Sequence, residues 1–374
     1  MYKKIIVIIF FIVLVIPSIV YADMLDNVSN ELNLNSLLDT LEEYAPALDI
    51  YSMEENLKLG EGIDYGKIGN LIIDTLFKEI RINIKTLIQV LVIIVLMAII
   101  KSIELDHDST ISKFVNLVGF VVIISMLLKN YIIVLESFKT AIKNTTSIVE
   151  IISPFMFAIL IATGKIATSG ITNTILLFVT SIIGVTVNYV IIPLLTIPIV
   201  FKIITNMTDV VKLDKLGKLC NSTSILILSI IFAIFLGVLE LETSVTTSVD
   251  DVTVKVTQTA ISNVIPVVGK FVSDSIEVVL GATEIIGKSL GVIGVIVIVM
   301  SVISPLFKLL SYTIMYSVIE AFSEALLADS KITNIISMFK EQYKVLLGIL
   351  FGVMTTFIIA LGIVISILGK VSGT

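Results

Sequence analysis

Residues 166–201 contain no charged side chain, and this run constrains the fold more than any other feature of the chain. A membrane-spanning helix needs about 20 predominantly apolar residues. Similar runs recur along the sequence, so that hydrophobic residues make up 56% of the chain and charged residues only 15%. Soluble domains carry about 25% charged residues. A chain of 374 residues cannot bury this much apolar surface in one core, so the sequence predicts an all-α, polytopic membrane protein.

Eight segments are apolar enough to be candidate spans, and they lie at 84–103, 114–128, 148–163, 171–201, 224–239, 290–307, 309–327 and 345–368. The fourth is longer than one span requires and contains Asn188, Pro193 and Pro198. It is either one tilted, kinked helix or two short helices with a break near residues 188–193. We therefore expect about 7–9 spans.

The N-terminus has the pattern of a signal peptide. Lys3 and Lys4 precede an apolar run, and Ala22 ends a small-x-small site. We place cleavage after residue 22, with an uncleaved signal anchor as the alternative. Residues 23–84 then hold thirteen acidic and four basic residues and show helical leucine spacing. This pattern predicts an acidic, mostly helical segment outside the cytoplasm.

Loop charges set the expected topology. The loop at 202–222 carries Lys202, Lys212, Lys215 and Lys218, so it should be cytoplasmic. An exported N-terminus then requires an odd number of crossings before Lys202, which favours splitting the 171–201 segment. We divide the membrane part into a first helix group at 85–242 and a second at 288–374.

The segment at 243–287 lies between these groups and is amphipathic. Its valines recur at helical spacing, with Thr, Ser and Asp residues between them. Pro266 and Gly269 predict a helix break, after which a second helix enters the next span. This helix–break–helix is either an interfacial hairpin on the outer surface or a re-entrant element that lines a vestibule or pore.

No enzyme signature is present. Cys220 is the single cysteine and His107 the single histidine, so the sequence predicts neither a metal site nor a cofactor. The Gly-Lys pair at Lys165 lacks the spacing of a phosphate-binding loop. Energy from ATP would therefore come from a separate subunit. No basic block suggests nucleic acid, and lipid is the expected surrounding.

One predicted span carries a polar stripe. At 100° per residue its members share one side of a helix, and they are Lys308, Tyr312, Tyr316, Glu320, Ser323 and Glu324. Acids at membrane depth usually face a bundle interior, a partner or water. The stripe is therefore a candidate polar pathway or subunit contact, in which Lys308 would pair with an acid of another helix. The alternative is a shallower span whose acids reach the interface.

Glycine spacing gives a second signal. Gly287, Gly291 and Gly294 open one span, and Gly348 and Gly352 lie in the last. Spacing of four residues between glycines permits close helix approach. We predict helix packing at these positions, within or between subunits.

The order of these parts resembles the stage III sporulation protein AE family. A leader, an acidic exported segment and several spans precede the most specific block, at residues 263–294. The matching positions within it are Asn263, Ile265, Pro266, Val267, Gly269 and the run into Gly291 and Gly294. The resemblance covers essentially the full mature length.

The resemblance implies a role in endospore formation. Family members are similar to polytopic components of a channel-like complex between mother cell and forespore. The implied partners are other membrane subunits and a separate cytosolic ATPase. The implied location is the mother-cell membrane around the forespore. The alternatives are an independent secondary transporter or permease and a purely structural anchor.

Overall fold

The computed structural model describes residues 33–103, 110–207, 212–264, 268–327 and 330–369. These residues form nine α-helices and no strand, which confirms the all-α prediction. The helices are Leu34–Tyr44 (α1), Ile50–Leu59 (α2), Tyr65–Ile103 (α3), Thr110–Ala162 (α4), Ile166–Thr186 (α5), Ile192–Met207 (α6), Asp214–Val264 (α7), Val268–Leu327 (α8) and Ser330–Gly369 (α9). The predicted signal peptide, residues 1–22, lies outside the described residues.

Six stretches of the described chain are long and apolar enough to cross a membrane. They are Tyr65–Ile100, Leu117–Ala162, Ile166–Met207, Asp214–Leu241, Thr283–Leu326 and Lys331–Leu368. The number is below the expected 7–9 because neighbouring windows merge. Segments 114–128 and 148–163 both lie in α4, and segments 290–307 and 309–327 both lie in α8. Charged residues between two windows lower the local hydropathy without ending the helix.

The favoured split of residues 171–201 is wrong. A π-helical turn, Val187–Ile191, joins α5 directly to α6. The backbone N–H of Ile192 reaches back to the carbonyl oxygen of Val187, which is the i→i+5 bond of a π turn. This wider turn lies immediately before Pro193, whose missing N–H would interrupt an ordinary α-helical ladder. The helix therefore absorbs the proline without a break.

Helix α8 is the central element of the bundle. It packs along α9, α3 and α4, and more briefly against α7 and α2. Helices α4 and α5 form one neighbouring pair and α6 and α7 another. The α6–α7 pair approaches closely where Pro198 faces Gly217, at which an added Cβ would lie 3.4 Å from the proline Cβ. Helices α3, α4 and α9 therefore surround the face of α8 that carries the polar stripe.

The two short N-terminal helices form an acidic cap against this bundle. Helix α1 buries a leucine stripe at Leu34, Leu37, Leu38 and Leu41 and packs against α8 and α4. Asp49 caps α2 by accepting a hydrogen bond from the Ser52 amide at 3.0 Å. Tyr51 donates its hydroxyl to Asp39 on α1, and this bond, followed by burial, raises the pKa of Tyr51 to about 12.

The predicted segment at 243–287 spans two helices. Helix α7 ends at Val264 and α8 begins at Val268. Pro266 lies outside the described residues, and Gly269 is the second residue of α8. The boundaries drawn at residues 242 and 287 both fall inside these continuous helices, and the boundary at residue 84 falls inside α3.

Candidate functional site

Four tyrosines meet at the centre of the bundle, and we call Tyr131, Tyr312, Tyr316 and Tyr343 the tyrosine cluster. They come from three helices, α4, α8 and α9, and each is at least 96% buried. The ring centroids of Tyr316 and Tyr343 are 5.0 Å apart in an edge-to-face arrangement, and those of Tyr312 and Tyr343 are 5.2 Å apart. Such contacts are favourable beyond simple area burial.

Two hydrogen bonds connect the cluster to its surroundings. Asn130 donates to the Tyr316 hydroxyl at 3.5 Å, and Tyr131 donates to the backbone carbonyl of Leu195 at 3.5 Å. Both distances are at the long end for hydrogen bonds. The aromatic packing therefore holds these hydroxyls in place more firmly than their hydrogen bonds do.

A second group of polar side chains lies along α8 on the N-terminal side of the tyrosine cluster. Lys308 donates to the Ser137 hydroxyl at 2.9 Å, and Ser304 donates to the Glu79 carboxylate at 2.6 Å. Glu79, in α3, is only 6% exposed. Among the residues that the structure describes, Lys308 forms no ion pair, so the acidic partner expected for it is not found there. A serine of α4 takes that position.

A third polar group lies toward the C-terminal end of α8. Glu320 forms an ion pair with Lys340 of α9. The hydroxyls of Ser323 and Thr333 are 3.0 Å apart and share a hydrogen bond. Both pairs join the C-terminal part of α8 to the N-terminal part of α9. Partners on the facing helix therefore satisfy polar groups that would be costly against lipid.

These three groups together form a polar seam along α8 from Ser304 to Ser323. At 1.5 Å per residue the seam is about 28 Å long, which is close to the thickness of a bilayer core. Of the predicted stripe, Tyr312, Tyr316 and Ser323 are buried, Lys308 and Glu320 are half-buried, and Glu324 is exposed. The opposite side of α8 is apolar and exposed at Ile314, Val318 and Phe322. Most of the stripe thus faces other helices rather than lipid.

The sequence reasoning missed the partners of the stripe. Glu79 lies in the acidic segment predicted to be exported, yet it is buried against α8. The sequence holds a signal for this, because stepping back along the helix from the apolar residues Val90 and Ile94 leads to Asn83 and Glu79 on the same face. Lys340 and Tyr343 gave no comparable signal, because nothing local tells which helix they face.

The predicted glycines differ in their surroundings. A Cβ added at Gly287, Gly291 or Gly294 would lie within 2.7 Å of a side chain of α4 or α9. At Gly352 it would lie 3.2 Å from Phe232. At Gly348 nothing lies within 4 Å. The first three glycines thus stand where three helices approach one another, whereas Gly348 has open space beside it.

The seam offers no evident ligand set for a metal. In the described ranges, no three His, Cys, Asp or Glu side chains stand close enough together to hold an ion. Its chemistry is that of hydroxyls, amides, one ion pair, the Glu79 carboxylate and the Lys308 ammonium group. Such groups can exchange hydrogen bonds with water or a polar solute, and they can fix the register of packed helices.

The fold and the seam define a class: an all-helical membrane protein with a polar interior between its helices. The family described as Stage III sporulation protein AE matches residues 48–367, most of the chain, so the chain belongs to this family. The resemblance seen in the sequence is thereby confirmed.

One curated relative is Stage III sporulation protein AE of Bacillus subtilis (strain 168). It is 24% identical over 252 residues. The match covers 67% of this chain and 63% of the relative. No solved structure matches the chain.

Proposed function

We propose that this protein is a non-enzymatic integral membrane subunit of a sporulation-specific transport or channel complex between mother cell and forespore. Membership of the stage III sporulation family supports the sporulation role. The six apolar helices support the membrane location. The step from membrane protein to subunit of a complex depends on one further observation, which concerns the outer face of α4.

The middle of α4 exposes four charged side chains at seven-residue spacing: Lys129, Glu136, Lys143 and Glu150. Successive members of such a series drift by only about 20° around a helix, so all four share one face. Exposed apolar side chains lie on both sides of this section, with Phe114 and Val118 before it and Ile161 after it. Glu136 pairs with Lys139 of its own helix at 2.8 Å, and charges that face lipid are costly. The charged face is therefore completed by another protein or by water, as in a channel assembly.

The polar seam fits the same proposal. Its buried groups lie between α8 and its neighbours, where small helix shifts would re-pair hydroxyls and amides. A subunit that passes solute, or that changes shape while a partner does, needs such re-pairing at membrane depth. Glu320 and Lys340 form an ion pair at one end of the seam, and Glu79 and Lys308 place charges near the other end.

The charge distribution supports an orientation. With an exported N-terminus, three candidate spans precede the lysine-rich region in which α6 ends and α7 begins, and three is an odd number. That region is then cytoplasmic, in agreement with the positive-inside rule. The N-terminal cap, the end of α7 at Val264 and the start of α8 at Val268 would lie on the opposite side. In the proposed location, the mother-cell membrane around the forespore, that side is the space between the two membranes.

The proposed partners are other membrane subunits of the complex and a separate cytosolic ATPase. The ATPase would act from the side of the lysine-rich region between α6 and α7, where Lys212, Lys215 and Lys218 add positive charge. The subunit itself would bind no cofactor. Lipid would cover the apolar outer faces of α5–α7 and α9.

The test is deletion of the gene in its host, with vegetative growth and heat-resistant spores scored separately. We expect normal growth and a loss of spores that the intact gene restores. In the deletion strain, a variant with both Glu136 and Lys143 replaced by Gln should insert into the membrane but give fewer spores than the intact gene. A Phe114→Leu control should insert and restore the full spore yield. Normal spore yield after deletion would contradict the proposal and favour an independent transporter. Solute uptake by the purified protein alone in liposomes would favour the transporter as well.

A further inference from the structure

A polar cleft lies between α6, α7 and α9, apart from the seam. It has a volume of about 180 Å³ and lies beside Leu213, immediately before α7 begins. One water needs only about 10–15 Å³ of such volume, so the cleft admits a small solute. The polar side chains that matter here are Lys202, Asp214, Lys218, Asn221, Glu341 and Gln342.

Gln342 forms the buried floor of this cleft. Its side chain is only 1% exposed, and its amide nitrogen donates to the Asn221 side-chain oxygen at 3.1 Å. Its own carbonyl oxygen is buried and has no hydrogen-bond partner among the residues that the structure describes. A buried acceptor without a donor is unfavourable unless something supplies the donor. The floor therefore lacks one N–H or O–H donor.

The charges of the cleft are arranged on opposing walls. Lys202 and Asp214 neutralise each other at 2.7 Å. The exposed ammonium of Lys218 then remains on the α7 wall, and the exposed carboxylate of Glu341 lies on the α9 wall, where it also contacts Lys344 at 2.9 Å. A ligand spanning the cleft meets a cation on one side, an anion on the other and an amide acceptor at the floor.

We propose that the cleft binds a small zwitterionic solute of the amino-acid class. The solute carboxylate pairs with Lys218, its ammonium group pairs with Glu341, and an N–H group donates to the Gln342 carbonyl oxygen. Bonds between charged groups and hydrogen-bond partners are the stronger ones, so both charges of the solute contribute to affinity. This binding site is independent of the proposed sporulation role, because only the side chains of the cleft define it.

The test uses the purified full-length chain in detergent micelles, and thermal unfolding is followed by circular dichroism. The probe is L-glutamine, which carries both charges and an amide. Two matched probes each lack one charge: N-acetyl-L-glutamine has no ammonium group, and L-glutaminamide has no carboxylate. A ligand that binds the folded state raises the melting temperature with its concentration. We expect such a rise with L-glutamine and little with the other two.

Variants separate binding from folding. Lys218→Gln and Glu341→Gln change exposed side chains, so they should fold normally and weaken L-glutamine binding about tenfold or more. Gln342→Leu should abolish it. Lys215→Gln alters an exposed lysine on the same helix that does not line the cleft, so it should bind like the unaltered chain. The proposal is overturned if L-glutamine gives no shift, if a singly charged probe works as well, or if Lys218→Gln and Glu341→Gln bind normally.

Discussion

Replacement of Gly291 by alanine should destabilise the bundle, whereas the same change at Gly348 should not. A Cβ at Gly291 would lie 2.4 Å from Ile365 Cγ1 and 2.8 Å from its Cδ1. Ordinary carbon–carbon contact begins at about 3.5 Å, so Ile365 must move by roughly 1 Å or the helices must separate. At Gly348 an added Cβ would meet nothing within 4 Å.

The magnitude follows from two opposing effects. Replacing Gly by Ala inside a helix stabilises it by about 0.5–1 kcal/mol at either position. Overpacking a tight interface costs about 1–3 kcal/mol, and this applies only at Gly291. We therefore expect Gly348→Ala to be neutral or stabilising. We expect the free energy of unfolding of Gly291→Ala to be about 1–3 kcal/mol lower than that of Gly348→Ala.

The assay is equilibrium unfolding of the two purified variants in the same micelles, followed by circular dichroism. Because helix propensity contributes equally to both, their difference isolates the clash. Equal stability of the two variants would refute the close approach of α8 and α9 at Gly291. A spore defect in Gly348→Ala without a loss of stability would instead indicate a partner that packs at Gly348.

The remaining predictions concern polar contacts. Glu320→Gln and Lys340→Gln should each lower the free energy of unfolding by about 1–2 kcal/mol, and the double variant should lower it by less than the sum. Additive losses in this double-mutant cycle would show that the ion pair contributes nothing. Glu79→Leu should lower the free energy of unfolding by about 1–3 kcal/mol because it leaves the Ser304 hydroxyl without its acceptor. Glu79→Gln keeps an acceptor and should lower it less, and equal losses in the two variants would contradict this. The pKa of Tyr51 is raised from about 10 to about 12, so its stabilising bond to Asp39 is present below pH 10 and is lost as the pH rises from 10 to 12. Tyr51→Phe should remove that pH dependence in an alkaline unfolding titration, and a dependence identical to that of the unaltered chain would refute the assignment.

The apolar helices could be predicted from the sequence, because hydropathy is a local property. Their continuity could not. Lys308 separates two apolar windows, yet it lies inside α8, where its long side chain reaches the Ser137 hydroxyl of α4. A single lysine does not end a helix when its ammonium group finds a partner. The prediction of a helix break at residues 188–193 is wrong for a related reason, since a π turn accommodates Pro193 without ending the helix.

The candidate site was predictable on one helix only. The direction of the α8 stripe follows from its own periodicity, and Tyr316 and Ser323 are indeed completely buried. Its partners come from distant parts of the chain, such as Asn130 and Tyr343. No local pattern encodes which helix faces which, because that depends on how all the helices pack together. The cleft at Gln342 is not predictable from the sequence for the same reason.

Helix lengths give a second reason, beside the charged face of α4, for the proposal that this chain is part of a larger assembly. Helix α8 has 60 residues and α4 has 53, so they are about 90 and 80 Å long. A bilayer core is about 30 Å thick, and tilts beyond about 40° are rare. Apolar side chains nevertheless remain exposed along α5 and α6 from Ile166 to Met207, a length of about 60 Å. Lipid covers about half of that length without tilt and about two thirds at a tilt of 40°, and charges on α4 that face lipid are costly. Protein neighbours would cover the rest, which supports the proposal of a subunit over that of a transporter working alone.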